Sequence, residues 1–179
     1  MLLAQFLLRE MDKLPETKQI LHNHMLFDLK QITSNLQRGA YRMIGSGTGR
    51  QVYDLKNGYV AKVAKNMKGV AQNEAEYQIS LQDESGLFAP VIQASADLHL
   101  IIMAKAERLR NLSSVWRHFN VRNNRELYQI PKIKNAMMQH NLIFVDLCKP
   151  PSWGGLNGRP VVIDYGFTKA VNRDFYLRK

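Results

Sequence analysis

Cysteine is all but missing from this chain. Cys148 stands alone among 179 residues, so neither an intramolecular disulfide nor a cysteine-clustered metal centre can form, and a reducing compartment is the simple reading. Acidic residues are also in short supply. The 15 Asp and Glu face 25 Lys and Arg, for a net charge of +10, which favours an acidic partner: nucleotide, nucleic acid, anionic membrane or acidic protein. That excess is spread along the chain without the dense blocks of nucleic-acid arms, and a nucleic-acid partner is not favoured. No apolar run approaches the ~20 residues that span a membrane. The apolar opening from Met1 to Leu8 lacks a basic flank and runs into Glu10 and Asp12, so an amphipathic helix is expected there rather than a signal peptide. Internal repeats and low-complexity segments are lacking too. The histidines (His22, His24, His99, His118 and His140) show no metal-ligand spacing with Cys148, and no serine sits in a nucleophile elbow. An apolar content of 45% is that of a globular chain, and its length suits one domain with room for two small lobes.

Against these absences, two short stretches carry the chemistry. Val161, Val162 and Ile163 form an apolar β run that ends on Asp164, followed by Tyr165 and Gly166. A buried strand ending on Asp pushes a carboxylate into a cleft, and the glycine is expected to let the backbone turn away at positive φ. Eighteen residues upstream, Leu142, Ile143, Phe144 and Val145 read as a second such run, ending on Asp146. Pro150-Pro151 and an Asn157-Gly158 turn join the two, so the carboxylates are expected to face one site.

In chain order, residues 1–40 read as helical. Leu3, Phe6, Leu7 and Met11 recur at helical spacing, as do Ile20, Leu21, Met25 and Leu29, with Pro15 between the two helices. These helices are expected to cover a sheet. Tyr41 to Ile44 reads as a strand, followed by Gly45-Ser46-Gly47-Thr48-Gly49, whose alternate glycines let backbone N–H groups approach phosphate closely. A strand over Val52 to Leu55, a tight turn at Asn57-Gly58 and a strand over Tyr59 to Ala64 come next, where a dinucleotide fold or a Walker loop would have a helix. Alternation puts Val60, Lys62 and Ala64 on one face and Ala61, Val63 and Lys65 on the other. Lys62 is thus a buried ammonium aimed at phosphates, whereas Lys65 is solvated. A helix over residues 69–81 offers Glu74 and Glu76 as acidic partners for Lys62.

This order of parts resembles a protein kinase, in the small divergent form seen in some bacterial, phage and effector proteins. The resemblance spans residues 41–170, about three quarters of the chain. It implies an α+β, two-lobed fold: a helical extension over 1–40, an antiparallel sheet lobe over 41–104, and a strongly reduced helical lobe over 105–179. The family pattern makes Lys62 the phosphate lysine, Asp146 the catalytic base and Asp164 a ligand of Mg²⁺ or Mn²⁺, with Tyr165 where Phe usually stands. Glu76, fourteen residues beyond Lys62, has the family's spacing and is favoured as the lysine's partner, although a helical wheel puts Glu74 on the face of Val70, Tyr77 and Leu81. Leu100 to Met103 reads as the strand into a hinge. The ATP site implied is Gly45, Ser46, Gly47, Thr48, Gly49, Val52 and Val60, with Met103 at the back and Ala104, Lys105 and Ala106 offering backbone groups to adenine.

Three departures from the pattern matter. Arg50 replaces the third glycine of the loop. Phe144-Val145 replace the His-Arg that normally precedes the catalytic Asp, and only 13 residues follow Gly166, so no phosphorylated activation loop is expected. Pro151 stands where a second metal ligand, Asn, belongs, with Ser152 beside it as a poorer hydroxyl substitute. Residues 111–140 must then form nearly all of the second lobe, and Trp153 is expected to anchor a loop by packing. The function implied is an ATP-dependent phosphotransferase acting on Ser or Thr hydroxyls of a protein, its substrate gripped by the basic surface or the N-terminal helices. The alternatives are a catalytically inactive nucleotide-binding interaction module, transfer to a small molecule, and a basic nucleic-acid-binding protein. The resemblance implies action in the cytoplasm, or in a host cell reached without a readable secretion signal.

Overall fold

The computed structural model describes residues 27–177. The first element of the described part is helix α1 (Leu29–Gln37), capped by Asp28, whose carboxylate accepts from Gln31 N–H. Five strands make an antiparallel sheet in the order β1-β2-β3-β5-β4: β1 (Arg42–Ser46), β2 (Arg50–Asp54), β3 (Tyr59–Ala64), β4 (Val91–Ala94) and β5 (Leu100–Ala104). Helix α2 (Met67–Gln82) crosses from β3 to β4 and overruns the expected 69–81 at both ends; at its start Asn66 caps it, accepting from Gly69 N–H. The fold is therefore α+β with an antiparallel sheet. Of the expected helices over 1–40, the described part is α1; Leu3, Phe6, Leu7, Met11, Pro15, Ile20, Leu21 and Met25 lie outside the described residues.

Alternation in β3 and β5 assigns the two faces. Val60, Ile101 and Met103 join Tyr77 and Ile79 of α2 in the large core, whereas Ala61, Leu100 and Ile102 pack with Ile32 of α1 on the other face. Each large apolar side chain so buried contributes about 1.5–3 kcal/mol. The β2–β3 turn takes positive φ at Lys56 (63°) and Gly58 (87°). In the β1–β2 hairpin a bulge falls between Met43 and Gly45, bending the strand that leads into the glycines.

Beyond β5 the chain is not purely helical. Strands β6 (Glu107–Arg108), β7 (Trp153–Leu156) and β8 (Arg159–Val162) form a second antiparallel sheet. The two-residue turn joining β7 and β8 has positive φ at Asn157 (50°) and Gly158 (77°), the geometry that right-twisted hairpins favour. Between β6 and β7 lie α3 (Ser113–His118), α4 (Asn124–Gln129), α5 (Pro131–Gln139), α6 (Phe144–Leu147) and a 3₁₀ turn (Pro150–Ser152); α7 (Lys169–Phe175) follows β8. The segment after α2 docks on β8: Val162 N–H donates to Leu87 O and Ala89 N–H to Val162 O. One continuous core thus runs from the five-stranded sheet through Phe88 to Trp153, Val162 and Tyr165.

Two expectations need correction. The run before Asp146 is not a strand. Leu142 makes only an isolated bridge, to Thr168, and the chain then turns into α6. Helical spacing there buries Leu147 while Phe144 packs edge-on against Tyr128; a four-residue apolar run carries too little periodicity to separate the two states. Gly166 is absent from the positive-φ glycines. It is required instead by close approach, because a Cβ there would overlap the Gln72 carbonyl of α2. Of the two candidate partners of Lys62, Glu74 is exposed, and Glu76, the one favoured from its spacing, is buried at 0% exposure.

Candidate functional site

Every residue expected at the site except Glu76 and Lys105 lines one cleft of about 500 Å³. The β1–β2 hairpin covers it, with Gly45 to Gly49 along its edge; Val52, Val60, Met103, Ala104 and Ala106 line its walls. Asp146 and Asp164 both border it, together with Ser152 and Pro151. The hairpin is seated on the start of α2. Lys65 N–H donates to Gly49 O at 2.8 Å, and a Cβ on Gly69 would overlap that same carbonyl. Lys65 is exposed as expected, and its Nζ donates to Gly47 O at 2.6 Å. The hinge is narrower than expected: the Ala104 amide donates to Pro90 O and that of Lys105 to Gly58 O, while the Lys105 ammonium pairs with Asp54 at 3.0 Å.

Behind Lys62 lies Glu76, saturated with donors. Lys62 Nζ donates to Glu76 Oε1 and Oε2 at 2.8 and 2.7 Å and to Ile163 O at 2.7 Å. The backbone N–H groups of Tyr165 and Gly166 both donate to Glu76 Oε1 at 3.2 Å, so α2 carries the segment holding Asp164. Tyr165 is buried, and its hydroxyl donates to Ala89 O. Burial pushes the Lys62 ammonium below the usual lysine range and the Arg50 charge adds to that effect, while Glu76 and Asp164 oppose it.

Sequence reasoning treated Arg50 only as a missing glycine. Its side chain turns inward, 8% exposed, and bridges Glu76 (2.9 and 3.1 Å) to Asp164 Oδ1 (2.8 Å). The Asp164 side chain is 59% exposed, so the rest of its carboxylate opens to the cleft. Desolvation raises its pKa, but Arg50, Lys62 and Arg108 outweigh that and hold it below the usual carboxylate range. Asp146 Oδ1 accepts from Lys149 Nζ at 2.6 Å, and its Oδ2 is buried with no hydrogen-bond donor. The i,i+3 spacing of Lys149 on a helical turn could have signalled that pair; read as a strand, the run hid it. Arg108 reaches the cleft only through the pairing of β6 with Gly154, which leaves no trace in the sequence. Tyr176 closes the far edge. Its hydroxyl lies 3.4 Å from Thr48 Oγ1 and accepts from Gln72 Nε2 at 3.3 Å, and its ring packs on Phe167.

Among the described residues no three His, Cys, Asp or Glu side chains converge into a metal cage. Mg²⁺ held partly by phosphates needs only one or two carboxylates, and the open carboxylate of Asp164 beside Ser152 fits that requirement. Trp153 is fully buried and donates from Nε1 to Leu147 O, fixing α6, which carries Asp146. Compared with protein-family models the chain matches none, and no curated protein matches it.

Proposed function

We propose that this chain is a minimal kinase-like phosphotransferase that moves the γ-phosphoryl group of ATP to a Ser or Thr hydroxyl of a protein. On this reading the five-stranded sheet with α2 is the nucleotide-binding lobe, and residues 105–179 are a reduced second lobe. The observation that carries it is the buried Lys62–Glu76 pair at 2.7 Å beneath a glycine hairpin, with Asp146 and Asp164 bordering the same cleft. Buried ammonium and carboxylate groups are costly unless they are paired, so such a pair facing a cavity points to a task there.

Each residue has a part. Lys62, held by Glu76, orients the phosphates, while the hairpin N–H groups lie along them and exclude water. Asp164 and Ser152 would hold the divalent cation, which when bound offsets charge on the phosphoryl group. Asp146, which borders the cleft, positions the acceptor hydroxyl and takes its proton. Lys149 holds Asp146 through Oδ1 and adds positive charge at the acceptor end. The basic surface and the excess of 25 Lys and Arg over 15 Asp and Glu suit an acidic protein substrate.

The Arg50–Asp164 ion pair and Pro151 favour a second reading, an inactive nucleotide-binding module. Transfer of label from γ-labelled ATP with Mn²⁺ separates the two, using wild type, Asp146→Ala and Asp164→Ala with and without cell lysate. Label on protein with wild type alone, falling at least about a hundredfold in Asp146→Ala, supports the transferase. Nucleotide binding without transfer supports the inactive module, and no nucleotide binding overturns both.

A further inference from the structure

Among the described residues, Arg50 is the one buried cation of the cleft to which the phosphotransfer reading gives no task. Glu76 does not require it, since Lys62 and two backbone N–H groups already satisfy that carboxylate. Its other bond goes to Asp164 Oδ1 at 2.8 Å, and it lines the cleft together with Gly47 and Gly49. Pro151 has no side-chain donor to offer a second metal, and among the described residues no further acidic or histidine cluster supplies one. The cleft therefore carries one open carboxylate for a metal and, hydrogen-bonded to it, a guanidinium. A guanidinium is planar, permanently charged and shaped to bind phosphate oxygens in pairs.

Resting on the phosphotransferase reading, we propose that Arg50 is a phosphate-binding residue that serves as the second cation of the site. In the empty cleft its guanidinium covers Asp164; when nucleotide enters with one divalent cation, that carboxylate passes to the metal and Arg50 to the phosphates. Two consequences follow from the charges. Metal alone binds weakly, because it competes with Arg50 for Asp164. Nucleotide binds with a single metal ion, and keeps measurable affinity without metal because Lys62 and Arg50 both face its phosphates.

The test uses the full chain as wild type, Arg50→Gln and Arg50→Lys. Mn²⁺ binding without nucleotide is read by the resonance of free Mn²⁺, and binding of the β,γ-imido analogue of ATP by calorimetry, in chelator and in Mn²⁺. Arg50→Gln is expected to bind Mn²⁺ alone about threefold more tightly, since a competing charge is gone. It is expected to bind the analogue about tenfold more weakly in chelator, since a charge-assisted phosphate contact is gone. Arg50→Lys falls between, and wild type takes up one Mn²⁺ per analogue. A purely structural arginine would not move the two affinities in opposite directions. Analogue affinity unchanged or higher in both variants, or two Mn²⁺ per analogue in wild type, overturns the proposal while leaving the phosphotransferase reading intact. Should Arg50→Gln not fold, the wild-type stoichiometry and Arg50→Lys decide alone. Wild type that binds no analogue in either condition removes the reading and the proposal together.

Discussion

Glu76 accepts hydrogen bonds from two cationic side chains and two backbone amides at 0% exposure, so its loss is the most costly single change in the site. Glu76→Gln would leave Lys62 and Arg50 buried with less compensating charge. Breaking a buried pair from one side costs about 3–5 kcal/mol, and a drop of that size in urea unfolding is expected. Asp164 supplies a pH signature. Its carboxyl is held below the usual range, so its stabilising contribution is full above the unfolded value of about 4 and fades as pH falls through the lower folded value. Because the side chain is more than half exposed, the effect is modest. Wild type should melt above Asp164→Asn near neutral pH, with the gap closing below about pH 4; a gap that widens on acidification would reverse the assignment. The choice between Glu74 and Glu76 lay beyond a helical wheel, because the wheel equates the buried face with apolar residues. The buried face of α2 includes Gly69, Asn73 and Glu76, a polar row matched by Arg50 and Lys62 on the strands it faces.

At the scale of elements, close backbone approaches hold the hairpin and the Asp164 segment against α2. Gly69 tests this. By intrinsic propensity Gly69→Ala inside a helix gains up to about 1 kcal/mol. Here the new Cβ would overlap the Gly49 carbonyl, which is backbone and cannot rotate aside. Overpacking of this kind costs about 1–3 kcal/mol, so steric cost wins and net destabilisation is expected in urea unfolding, together with weaker nucleotide binding from a displaced hairpin. Wild-type stability and affinity in this variant would show that the hairpin moves freely of α2. The sequence displayed the hairpins clearly, through Asn57-Gly58 and Asn157-Gly158, because such turns demand particular residues locally. It did not display α6, because a short apolar run is read as strand or helix only by what lies beside it.

For the whole molecule, the cleft is bounded by the five-stranded sheet on one side and by α6 with Asp146 and the segment carrying Asp164 on the other, with a shared core between them. A ligand touching both sides should stabilise them as a unit. The ATP analogue with Mn²⁺ at about 100 times its Kd adds about 2.7 kcal/mol by mass action, expected as a single melting transition raised by about 5–10 °C. Two transitions, only one of them shifted, would mean that the halves unfold independently.

Local chemistry alone determined four of the five strands of the sheet (β1, β2, β3 and β5), the β2–β3 turn, the inward face of Lys62, and Asp146 and Asp164 as residues of interest, because alternation and turn preference act over a few neighbouring residues. The tertiary structure decided what depends on distant segments meeting. Glu76 was selected over Glu74 by cations on two other strands, and Gly166 was required by the Gln72 carbonyl rather than by its own φ. Arg50 became part of the site because it meets Asp164, 114 residues away, at a distance where charge outweighs every local preference.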